Sequence, residues 1–161
     1  MGAQELSTLL WRERELLELL TFKLEEEQLL LTAGKTRWVQ HATREVEQVM
    51  ERLRTTGLAR TVEVAALAPQ WGTDEGATLR ELVANAPAGV WAEIFSAHLQ
   101  AMTELTAEIR ALRDVNEQFL RAAVRSTQEM LAGAEKEART YDASGTSDIS
   151  THNAQLFDAS M

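Results

Sequence analysis

At 161 residues, with 45% apolar and 25% charged side chains, the chain has material for one domain with a core of its own. Its 25 acidic and 16 basic residues give a formal net charge of -9, which repels phosphate backbones and sets nucleic acid aside as a partner. Cysteine is absent, which excludes disulfides and thiolate metal sites.

The opening residues lack the basic start and apolar run of a secretory signal, and no stretch approaches the roughly 20 apolar residues of a membrane span. The chain therefore reads as soluble and cytoplasmic, with no membrane insertion. Only two prolines and eight glycines interrupt runs rich in Ala, Leu, Glu, Arg and Gln, so long helices are expected.

Residues 5–55 read as a first long helix. Leu10, Leu17, Leu24, Leu31 and Trp38 recur every seven residues, and Ala42, Val46, Val49 and Leu53 continue in threes and fours. Leu9, Leu16 and Leu30 widen the stripe beyond a two-stranded seam, which suits a bundle. Gly34 reads as a bend, and Thr55-Thr56-Gly57 as a left-handed helix end. Short helices are then expected at 62–67 and 78–85, around a polar loop at 69–76.

From Pro87, placed as a first-turn proline, a second long helix is expected. Its stripe begins Trp91, Phe95, His98, Met102 and Ile109, and steps on through Asn116 and Phe119 to Met130 and Ala134. Tyr141 to Gly145 closes it, and the Ser/Thr/Asp-rich remainder reads as disordered. Within that remainder, Leu156 and Phe157 either fold back on the helical region or belong to an inert tail. The fold class is thus all-α, an elongated antiparallel helical bundle or coiled coil with two long helices, short helices between them and a disordered C-terminal tail. The domains expected are a single helical domain at 1–145 and a flexible polar tail at 146–161.

Signs of chemistry are missing. His41, His98 and His152 lie on separate segments, and none follows a glutamate at the Glu-x-x-His spacing of di-iron bundles. No phosphate-binding glycine loop or nucleophile elbow occurs. The Glu25-Glu26-Glu27 run reads as a solvated face. His98 and Asn116 fall on the apolar stripe, where buried polar groups usually fix helix register. The aromatic residues Trp11, Trp38, Trp91, Phe95 and Phe119 read as core more readily than as binding anchors. The chain is expected to be no enzyme, with no cofactor and no metal, and to use its amphipathic helices to hold a partner.

Several segments resemble the FlgN family of flagellar export chaperones. The opening helix, from Leu9-Leu10-Trp11-Arg12-Glu13 through Leu16-Leu17-Glu18-Leu19-Leu20, is similar to the family's start. Thr78-Leu79-Arg80-Glu81-Leu82-Val83 resembles a short motif before the last long helix. Asp114-Val115-Asn116-Glu117-Gln118-Phe119-Leu120 resembles an asparagine-containing stretch within it, although Asp114 stands where a second asparagine is expected. Tyr141-Asp142-Ala143-Ser144-Gly145 resembles its closing motif.

The resemblance implies a chaperone that binds the hook–filament junction proteins FlgK and FlgL through their C-terminal helices. It would keep them from assembling early and deliver them to FlhA at the type III export gate. Client binding would fall on Phe119, Leu120, Ala123, Val124, Thr127, Met130 and Leu131, and gate docking on Tyr141. A chaperone or adaptor of another secretion system, or a self-associating structural coiled coil, is the alternative. The residues leave open whether the free protein is a monomer or a homodimer.

Overall fold

A computed structural model describes residues 2–143; Gly145, His152, Leu156, Phe157 and the tail expected at 146–161 lie outside the described residues. The described residues are all-α, with helices α1 (Gly2–Thr32), α2 (Thr36–Leu67), α3 (Leu79–Ala84) and α4 (Val90–Ala143). A short 3-10 segment, Ala68–Trp71, follows α2. The chain divides into two compact units, one ending at Phe119 and the other beginning at Leu120.

The expected helix over 5–55 is two helices. Gly34 does more than bend the chain: it adopts φ +68, a left-handed conformation open to glycine at little cost. The amide of Lys35 then bonds the Leu30 carbonyl at 2.9 Å and that of Gly34 bonds the Leu31 carbonyl at 3.2 Å, the paired bonds of a Schellman cap. Gly57, in contrast, lies inside α2 and ends nothing. Thr55 and Thr56 fit there because their hydroxyls donate back to the Glu51 and Arg52 carbonyls. The short helix expected at 62–67 is the end of α2, which carries Val64 and Leu67 into the core.

α3 begins as expected at Thr78. The Thr78 hydroxyl accepts from the Glu81 amide at 3.2 Å, and the Glu81 carboxylate accepts from the Thr78 amide at 2.7 Å. This reciprocal box satisfies two donors that the helix leaves open. Pro87 lies before α4 rather than in its first turn, since the helix starts at Val90.

In the first unit α2 runs antiparallel to both long neighbours. Lys23 pairs with Glu45 and Glu13 with Arg60, so α1 and α2 descend past one another. Ser7 meets His98 and Leu24 meets Asn116, so α1 and α4 run parallel. The antiparallel partner of the last helix is therefore α2, a consequence of the reversal at Gly34. Leu6, Leu10, Val64, Leu67, Leu82 and Phe95 fill one core cluster, with Trp71 and Trp91 packed on the Phe95 ring at 5.4 and 5.6 Å. Leu20, Leu24, Val46, Val49 and Ile109 fill a second.

Candidate functional site

Of the seven positions nominated for client binding, Phe119 ends the first unit, where it is partly exposed. The other six lie in the second. There, residues 120–143 are helix, as a run of Ala, Arg, Gln, Glu and Met favours. Leu120, Ala123, Val124, Thr127 and Leu131 are spaced i, i+3, i+4, i+7 and i+11, which puts them on one helical face, and Met130 sits at its edge. The Thr127 hydroxyl donates to the Ala123 carbonyl at 3.0 Å, so it adds little polarity to that face.

Leu120 and Ala123 are half-buried, while Val124 is 55% exposed, Met130 70% and Leu131 62%. Large apolar side chains left in water at helical spacing form a surface that another apolar helix can cover. Tyr141 is exposed farther along the same helix.

His98 and Asn116 are both buried and both face α1. The His98 ring lies 3.4 Å from the Ser7 hydroxyl and 3.3 Å from the Arg14 guanidinium, with the Trp11 ring edge-on at 4.9 Å. Burial, and then the Arg14 charge, push the His98 pKa below its ordinary value, which keeps the ring neutral. The Asn116 amide donates to the Leu24 carbonyl at 2.9 Å and to the Glu27 carboxylate at 3.1 Å. Glu27 also accepts from the Thr43 hydroxyl at 2.9 Å. Asn116, Glu27 and Thr43 thus tie α4, α1 and α2 in one register.

Glu27 is a correction to the reading of Glu25-Glu26-Glu27 as a solvated face, since it is buried. Its position carries a signal: Leu20, Leu24, Glu27 and Leu31 step by four, three and four, so Glu27 occupies a stripe position. Glu13 is buried in the same way beside Arg60 at 3.2 Å; burial raises its pKa and Arg60 partly offsets the shift. Among the aromatic residues expected in the core, Phe95 is buried, whereas Trp11, Trp38, Trp91 and Phe119 are partly exposed.

Among the described residues, no group of His, Cys, Asp or Glu could hold a metal ion, and no helix is long and apolar enough to cross a membrane. No curated protein and no solved structure matches the chain. A family model described as FlgN protein matches residues 1–149. With nearly the whole sequence under that match, the chain belongs to the FlgN family, the flagellar export chaperones.

Proposed function

We propose that this chain holds the hook–filament junction proteins FlgK and FlgL in the cytoplasm before their export, and performs no catalysis. The observation that carries the reading is the exposed apolar face of α4 formed by Val124, Leu131 and the adjoining Met130. A client's C-terminal amphipathic helix would lay its own apolar side chains on that face. Occupying those side chains opposes the client's self-assembly by mass action, and release at the export gate returns them. Tyr141 would dock the loaded chaperone on the cytoplasmic domain of FlhA.

Titration calorimetry against the C-terminal segments of FlgK and FlgL tests this. Saturable binding with a negative heat-capacity change is expected, as apolar burial requires. Leu131→Asp should abolish it, and Tyr141→Ala should weaken FlhA binding while sparing the clients. Absence of binding to both segments at tens of micromolar removes the junction-protein assignment.

A further inference from the structure

A second surface lies entirely within the first unit. The end of α2, residues 76–80 and the middle of α4 enclose an open groove of about 680 Å³. Val64, Leu79, Leu99 and Met102 give it an apolar floor. Its margins carry Arg60 from α2, Arg80 from α3 and Arg110 from α4. Among the described residues no acidic side chain lines it, although acids outnumber bases 25 to 16 in this chain. Three helices have each turned an arginine toward the same hollow of an otherwise acidic protein.

We propose that this groove docks an acidic amphipathic helix of a partner protein, at a site separate from residues 120–131. Charge complementarity selects the partner. Arg80 and Arg110 are exposed and make no ion pair among the described residues. Arg60 engages Glu13 with one nitrogen and has further donors to offer. Guanidinium forks match carboxylates in two-point geometry, which favours Glu and Asp side chains on the guest.

The floor decides between classes of anion. Leu99, Thr103, Thr106 and Arg110 follow one line along α4, spanning ~17 Å at 1.5 Å per residue, about three helical turns. Arg80 also lines an adjoining hollow with Leu99, Thr103 and the acidic Glu104, which places it toward the far end of that line from Arg110. Cations spread along an apolar trough do not converge on one phosphate. They fit a guest with carboxylates along its flanks and leucine-like side chains on its underside. The small side chains Ala77, Thr103 and Ala107 leave room for such a guest to approach closely.

The test uses the full-length protein and a labelled synthetic helix about three turns long, with leucine on one face and glutamate beside it. Fluorescence anisotropy should show saturable binding that fades with added salt. The double variant R80E/R110E should weaken it about tenfold or more. If circular dichroism shows that variant to be misfolded, R80Q/R110Q replaces it, with a smaller loss in the same direction. Binding of FlgK or FlgL segments should be unchanged in these variants, and Leu131→Asp should leave the acidic peptide's affinity intact. The proposal falls if the peptide fails to bind, or if the arginine variants bind it like the parent protein. It falls equally if a lysine-for-glutamate peptide or one with scrambled order binds as well, or if inorganic phosphate displaces the peptide beyond its effect as salt. Loss of junction-protein segments alongside the acidic peptide would merge the two surfaces and overturn the claim of a separate site.

Discussion

The two parts of α4 share a sequence rhythm and differ in what becomes of it. Between Val90 and Phe119, the positions stepping by threes and fours include Phe95, His98, Met102, Ile109 and Asn116, all buried. From 120 to 143 the apolar positions continue at helical spacing, and none is buried. Periodicity therefore reports that a helix has an apolar face, while the neighbours available decide whether that face is covered. In an export chaperone the uncovered part is the natural place to look for a client.

Truncating one apolar side chain in each part measures the difference. Phe95 is fully buried between Trp71 and Trp91, so Phe95→Ala should cost about 3–5 kcal/mol through lost burial and the cavity left behind. Leu131→Ala should stay within about 0.5 kcal/mol, as exposed substitutions do. Urea unfolding of the two variants beside the parent protein provides the comparison. Equal destabilisation would mean that residue 131 is packed in solution, and would remove it as a candidate for client contact.

Asn116 is the last buried side chain of α4, and it is polar. Its Nδ2 serves the Leu24 carbonyl and Glu27, while its buried Oδ1 has no hydrogen-bond partner among the described residues. Asn116→Ala should cost about 1–3 kcal/mol, because Glu27 loses a donor inside the bundle and keeps only Thr43. The double variant N116A/E27Q should recover part of that loss, since the charge left under-satisfied has gone. No recovery in denaturant titrations would show that packing, rather than the polar network, sets the cost of losing Asn116.

The all-helical class, the short helix beginning at Thr78 and the course of the last helix were legible in the residues. Their signals are local: leucine and valine at helical spacing, few helix breakers and an unbroken stripe. The reversal at Gly34 was harder to read, because Leu31 and Trp38 keep the seven-residue spacing straight through the turn. Two glycines competed for the role of terminator. Thr55-Thr56 made Gly57 look like the end, yet their hydroxyls are satisfied by α2's own carbonyls, and Val64 and Leu67 beyond them reach the core. The buried carboxylates were hidden by composition, since Glu27 sits in a run of three glutamates and only its stripe position sets it apart. For the candidate site, the spacing of residues 120–131 identified a face, but its exposure depends on neighbours that the pattern does not encode. The arginine groove could not be read at all, because Arg60, Arg80 and Arg110 come together only in three dimensions.

The smallest expected effect asks what maintains the uncovered part of α4. Where no side chain is buried, the helix between 120 and 143 must rely more on intrinsic propensity. Gly133 is the weak point, and a Cβ added there meets nothing within 4 Å among the described residues. Gly133→Ala should therefore stabilise the local helix by about 0.5–1 kcal/mol. The gain should slow amide exchange around residue 133 and leave the urea midpoint of the bundle unmoved, because the global transition is governed by the buried clusters. A shift of that midpoint by the full amount would show that both parts of α4 unfold as one cooperative unit, and the contrast between them would then be one of exposure without one of stability.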